Sequence, residues 1–179
     1  DHLPPARLEV AAQLAGGRLE VSKLSATSGE TQVSISGRAD IFRPAGALAA
    51  EAHVEHLNLP DWARGQPVKG VARLDLSATG TLDVPVWKGS LAVVGAGWPG
   101  APEGDVSARF EARGLRHPVL DLRALDVTTA VGDVHAAGTL HPLDLDADTQ
   151  LDVTLKRVKL EGLPLPIPEP DPERVIVLG

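Results

Sequence analysis

The chain has no cysteine, no methionine and no tyrosine among its 179 residues, and aromatic side chains make up 3% of it. Without cysteine there is neither a disulfide framework nor a thiolate metal site, a composition that an oxidising compartment permits without requiring. Cations are scarce too: 17 Lys and Arg stand against 24 Asp and Glu, for a net charge of −7 and a pI near 5.3. Binding a phosphate backbone needs clustered Lys and Arg, so nucleic acid is not expected as a partner. No stretch approaches the ~20 consecutive apolar residues of a membrane helix, and no signal-peptide pattern is present. Methionine is missing at position 1 as well. The expectation is a processed or excised piece of a longer chain, soluble as it stands, with any anchor or export signal outside it.

What the chain does have is 43% hydrophobic residues, mostly Leu, Val and Ala, with 18 Gly and 15 Pro. These fall on a two-residue beat. Side chains alternate faces along a strand, so apolar residues at i, i+2 and i+4 mark a half-buried strand. Leu8 and Val10, then Leu19 and Val21, begin the pattern, followed by Val33, Ile35, Gly37, Ala39 and Ile41. Leu74, Leu76, Ala78, Gly80, Leu82 and Val84 continue it, then Leu91 and Val93, then Ala108, Phe110 and Ala112, then Leu120 and Leu122. Val134, Ala136, Gly138 and Leu140, then Leu151, Val153 and Leu155, close it. Turn chemistry separates the runs at Gly16-Gly17, Ser28-Gly29, Pro44-Ala45-Gly46, Gly97 to Gly104 and His117-Pro118. The expected fold is all-β.

The Ala-rich stretch AGALAAEAHVEHL (45–57) suits a helix equally well by propensity. An internal comparison decides it. Sliding Leu19 onto Leu120 also brings Leu24, Thr27, Val33, Gly37 and Leu59 onto Leu125, Thr128, Val134, Gly138 and Leu160. A one-residue adjustment upstream brings Leu8 onto Phe110. In this register 47–59 meets QLDVTLKRVKL, which is alternating and β-branched, so 47–59 is expected to be a strand. In both segments the apolar parity flips across two polar residues, Glu55-His56 and Lys156-Arg157, which predicts a bulge. Residues 1–163 therefore read as a repetitive β array with units of roughly 7–62 and 109–163, each burying its face on its neighbours. Residues 164–179, with Pro at 164, 166, 168, 170 and 172, read as an extended connector or edge shield. RVIVLG, within 164–179, would then begin the next strand.

Candidate chemistry is sparse. His53 and His56 would face opposite ways on a strand, and Asp133, His135, His141 and Asp144 make no recognisable ligand set. Asp121, Asp126, Asp144, Asp146 and Asp148 fall in runs that alternate with apolar residues such as Leu122, Leu143 and Leu145, as on a solvated face. They do not read as the two carboxyls held at a fixed gap that acid–base catalysis needs. Neither a phosphate loop nor a Gly-x-Ser-x-Gly elbow occurs. No enzyme and no cofactor are expected. Trp87 and Trp98 are expected to pack at the Gly-rich corner between them.

The stretch SATGTLDVPVWKGSLAVVGAG resembles a recurring phrase of the TamB family (the translocation and assembly module subunit) and of the wider AsmA-like group. The matching positions are Gly80, Thr81, Leu82, Pro85, Gly89, Ser90 and Leu91, with a second partial copy at Gly138, Thr139 and Leu140. LSATSGETQVSISGRAD, ending near Gly37, is similar to the family's strand-turn-strand unit. The resemblance implies an elongated, curled sheet with an open, taco-like apolar groove, in the periplasmic part of a protein anchored in the inner membrane. It also implies phospholipid delivery between membranes, or outer-membrane protein assembly with an Omp85-type partner, and no catalytic residues. The residues support such a groove: Ala12, Gly37, Ala39, Ala50, Ala52, Ala78, Gly80, Ala108, Ala112, Ala136 and Gly138 are small inward positions beside larger aliphatics. The space they leave suits acyl chains, since each buried CH₂ stabilises by ~0.8 kcal/mol without directional contact. The expected lining is Val33, Ile35, Ile41, Leu74, Leu76, Leu82, Val84, Leu91, Val93, Phe110, Leu120, Leu122, Val134, Leu140, Leu151, Val153 and Leu155. The alternative is a closed β-sandwich acting as a structural spacer or adhesin-like interaction domain.

Overall fold

The computed structural model describes residues 6–43, 45–63, 66–114, 118–143 and 148–159. The alternating runs become ten strands: β1 (Ala6–Ala15), β2 (Arg18–Ser28), β3 (Thr31–Asp40), β4 (Ala47–Asn58), β5 (Lys69–Thr81), β6 (Pro85–Gly97), β7 (Gly104–Arg113), β8 (Val119–Thr129), β9 (Gly132–Leu140) and β10 (Gln150–Lys156). Each pairs antiparallel with the next in sequence, giving one sheet in the order β1 to β10. The sheet does not close. β1 and β10 are its two edges, and strands contact their sequence neighbours rather than a second layer. The Ala-rich segment is a strand, β4, and the chain leaves it through a single helical turn, α1 (Leu59–Trp62), with Pro60 in the first turn. Helix propensity loses here because the alanines of β4 sit against small partners: Ala50 faces Gly37 on one side and Ala78 on the other.

Bulges recur on the even-numbered strands. Register slips at Ser22–Lys23 of β2, Glu55–His56 of β4, Val94–Gly95 of β6 and Arg123–Ala124 of β8. His56 and Gly95 take left-handed backbone at φ +52° and +65°, whereas the bulges of β2 and β8 do without it. Arg157, just past β10, does the same at φ +54°, and pairing resumes beyond it where Lys159 N–H bonds the Val131 carbonyl. Each bulge bends its strand and adds twist. The first strand departs from the expected correspondence. Leu8 faces Ala26, and the residue facing Val127 in β7 is Val106 rather than Phe110. Two residues separate β1 from β2, whereas five separate β7 from β8, a difference of three that matches the shift of β7 against β1.

Burial shows how thin the structure is. Among the described residues the buried apolar side chains are Ala72, Ala78, Ala124, Ala136, Val93 and, at the start of β6, Pro85. A two-layer core would bury Leu, Ile and Phe. Here only side chains short enough to be overshadowed by their in-sheet neighbours, 4.5–5.5 Å away, lose contact with water. The sandwich alternative is therefore replaced by a single open sheet.

Candidate functional site

Strand register assembles the alternating residues into continuous rows. One row runs Leu8, Ala26, Val33, Val54, Leu74, Leu91, Ala108, Leu125, Ala136, Val153 across all ten strands. The adjacent row runs Val10, Leu24, Ile35, Ala52, Leu76, Gly89, Phe110, Leu122, Gly138, Leu151. Neither contains a polar side chain. The bulges make this possible: each inserts a residue where parity would otherwise carry the apolar set to the opposite face. Register across the sheet was not readable from the runs alone, and it is the register that turns separate runs into one surface.

The expected lining residues within strands all lie on this face: Val33, Ile35, Leu74, Leu76, Leu91, Val93, Phe110, Leu120, Leu122, Val134, Leu140, Leu151, Val153 and Leu155. Exposure rises outward, from 8% at Val93 in the middle to 54% at Val153 and 65% at Leu8 on the edges. Ile41, Leu82 and Val84 depart from the expectation. They sit beyond the strand ends, in the turns 41–46 and 82–84, with Leu82 N–H bonded to the Gly46 carbonyl and Val84 60% exposed. The alternation runs through them, but the Asp83 turn ends the ladder first.

Small residues on the face serve two purposes. At Gly37 the backbone of Ala50 stands where a Cβ would go, so the glycine permits close strand approach. At Gly89 the ring of Phe110 occupies that space, so the protein itself fills this gap. Trp87 lies on the same face between Ala78 and Ala112, half-buried. Trp98, expected to pack at the corner, is 64% exposed on the 98–103 turn.

The opposite face is polar and laced by cross-strand pairs. His53 Nδ1 lies 2.7 Å from Asp75, and Ser90 Oγ donates to the other Asp75 oxygen at 3.4 Å. The carboxylate stands between hydroxyl and imidazole, so His53 is not placed to take the serine proton, and the trio is no nucleophile relay. His135 lies 2.7 Å from Asp126, whereas its neighbour Asp133 is held by Arg157 at 2.7 Å. Asp121 accepts from Thr139 at 3.0 Å. His56 is exposed at its bulge, and Asp144 and Asp146 lie outside the described residues, as does the Pro-rich segment 164–179. Among the described residues no three His, Asp or Glu converge as a metal site. Glu111 sits among Arg113 (2.6 Å), Arg123 (3.7 Å) and Lys88 (3.8 Å), and the Arg113 hydrogen bond holds its carboxyl below the usual range. The hydrogen bonds from Lys23 to Glu9, Arg18 to Asp40 and Lys69 to Glu103, and that between His53 and Asp75, lower those carboxylates in the same way. Several open hollows lie on this side, one of them with Ser36, Ala49 and Ser77 on its floor, walled by Glu20, Arg38 and Glu51.

Compared with known protein families, with curated proteins and with solved structures, the chain matches none of them.

Proposed function

We propose that the chain is a non-catalytic lipid-binding segment, its apolar face serving as a trough along which acyl chains, or greasy strands of an unfolded client, are held away from water. The observation that carries this reading is the pair of ten-residue rows without a polar side chain, uncovered by any second layer among the described residues. An apolar surface that crosses ten strands, about 43 Å at ~4.8 Å spacing, is too large to be a chance scatter of exposed leucines. On the polar face His53 is paired with Asp75 and His135 with Asp126. The resemblance to TamB and AsmA-like proteins agrees with this reading and adds the rest of the proposal: a periplasmic location, an inner-membrane-anchored parent, phospholipid as cargo and an Omp85-type partner at the outer membrane.

The test is direct. Protein purified without detergent is extracted and its lipids identified by mass spectrometry, beside Leu76→Asp, which plants a charge in the middle of the trough. Co-purified fatty acid or phospholipid in the wild type, and at least a severalfold loss in a Leu76→Asp protein that remains folded, is the expected result. A lipid-free wild type that also takes up no fluorescent fatty acid would end the reading.

A further inference from the structure

The two rims of the sheet, where the hairpin turns lie, differ in chemistry. At the rim that carries turns 29–30, 98–103 and 130–131 and the connection through α1, the apolar rows run out into hydroxyls at the first and last hairpins. Ser28 faces Thr31, and Thr129 faces Gly132. Thr31 is 6% exposed and donates to the His56 carbonyl at 3.0 Å, while Thr129 Oγ1 donates to the Gly132 carbonyl and receives the N–H groups of Val131 and Gly132. At the other rim the rows end in Leu14, Leu19, Ala39 and Leu48, pass to Ile41 and Leu82, and reach turn tips whose apolar side chains stand in solvent. Phe42 is 75% exposed, Val84 60% and Leu143 69%. No polar side chain interrupts the described apolar face on the way to these tips.

We propose that this second rim is where the molecule docks on a lipid surface, Phe42, Val84 and Leu143 dipping into the boundary between headgroups and acyl chains. The inference rests on the reading of the apolar face as a lipid trough and gives that trough a side that meets the bilayer. A bilayer suits the tips better than a protein does. Phe42 and Val84 stand on turns two strands apart, about 10 Å, with Leu143 four strands beyond Val84 at about 19 Å. A protein partner would need a separate pocket for each, whereas a fluid interface admits each independently and is met by exposed charges beside them, Arg43 and Asp83. Trp98 is the large exposed apolar tip of the opposite rim, at the turn closed by the Lys69–Glu103 pair, and it serves as a control position.

The lack of cysteine makes the experiment clean, since any cysteine introduced is the only one. Single variants Phe42→Cys, Val84→Cys, Leu143→Cys, Glu30→Cys and Trp98→Cys are labelled with a polarity-sensitive dye and mixed with vesicles of zwitterionic lipid, with and without an anionic lipid. The expected result is a blue shift at 42, 84 and 143 and none at 30 or 98. Vesicle co-sedimentation should weaken by about tenfold or more in the triple variant Phe42→Ser, Val84→Ser, Leu143→Ser, a change that removes mostly exposed apolar area. Equal shifts at both rims, or none at either in protein folded by circular dichroism, would overturn the proposal. So would lipid-independent cross-linking of copies through the thiol of the Phe42→Cys variant. Extracting lipid from the triple variant separates the two ideas: lipid retained with docking lost supports both, and docking without lipid ever on the face would leave the rim standing and remove the trough.

Discussion

The ring of Phe110 on β7 lies directly over Gly89 on β6, its cross-strand partner, in the space a Cβ at that position would need. The pair is a local device for keeping an aromatic flat on an open sheet, where no second layer presses it into place. Gly89→Ala should therefore displace the ring and cost about 1–3 kcal/mol, as overpacking does. Once Phe110→Ala has removed the ring, the same glycine change should cost much less, because the two residues share one space. Urea midpoints of the two single variants and the double variant check this, and additive losses would contradict it.

This pair also shows what the sequence could convey. Alternation identified Phe110 as part of an apolar-facing strand, whereas Gly89 stood out only as a position of the resemblance; the Ala-rich β4 was legible once its counterpart QLDVTLK was set beside it. The contact between Gly89 and Phe110 was not legible, because it depends on register, and register depends on where bulges fall. The two parity flips at Glu55-His56 and Lys156-Arg157 were visible as patterns; those at Ser22-Lys23 and Arg123-Ala124 were hidden where polar and apolar residues mix. The cross-strand partners His53–Asp75 and His135–Asp126 were unreadable for the same reason. Ile41, Leu82 and Val84 were misplaced because the beat of two continues through turns that have already left the ladder.

His56 holds a left-handed backbone at φ +52°, a conformation that suits glycine and strains a residue with a Cβ. Its imidazole is exposed, while its carbonyl, which any residue would supply, takes the Thr31 hydroxyl. His56→Gly should accordingly raise stability by about 0.5–1 kcal/mol. The matching change at Arg157, φ +54°, should gain less or lose, since Arg157 also binds Asp133. A fall in the thermal midpoint of His56→Gly would show that the bulge draws on the side chain as well as the backbone.

Thr31 is the buried polar residue among those described, and its hydroxyl is matched to one acceptor. Thr31→Val preserves shape and leaves the His56 carbonyl without that donor, for an expected loss of about 1–2 kcal/mol. Thr31→Ser should keep most of the stability. Loss of amide-exchange protection confined to β3 and β4 would localise the effect to the bulge.

Acid should loosen the polar face. Glu9, Asp40, Asp75, Glu103 and Glu111 all have carboxyls lowered by hydrogen-bonded cations or histidine. A carboxylate lowered in the folded chain contributes stability in full above its unfolded value, about 4, and loses it as pH falls through the folded value. The urea midpoint should hold from neutrality down to about pH 5 and drop below about pH 4. These groups are solvent-exposed, so salt should flatten the drop, and Glu111→Gln should shallow it. An unchanged midpoint down to pH 3 would mean that the ladder of pairs contributes nothing.

Leu76→Asp distinguishes an uncovered face from a covered one by stability alone. In a sealed interior the carboxylate would lack both water and a partner, a change expected to cost 4 kcal/mol or more, roughly the level at which a domain fails to fold. On a single-layer sheet Leu76 is half-exposed, so an aspartate there reaches solvent past Ala52, its small cross-strand neighbour on β4. The loss should then be near that of removing one partly buried aliphatic, about 1–2 kcal/mol. The same substitution at Leu155, on the β10 edge and 62% exposed, should cost still less. Adding fatty acid should stabilise the wild type by mass action and leave Leu76→Asp where it was, because a ligand raises stability only when it binds the folded face. A Leu76→Asp protein that is folded, nearly as stable as wild type and indifferent to fatty acid would place the lipid on the apolar rows. Outright unfolding would mean that something covers them.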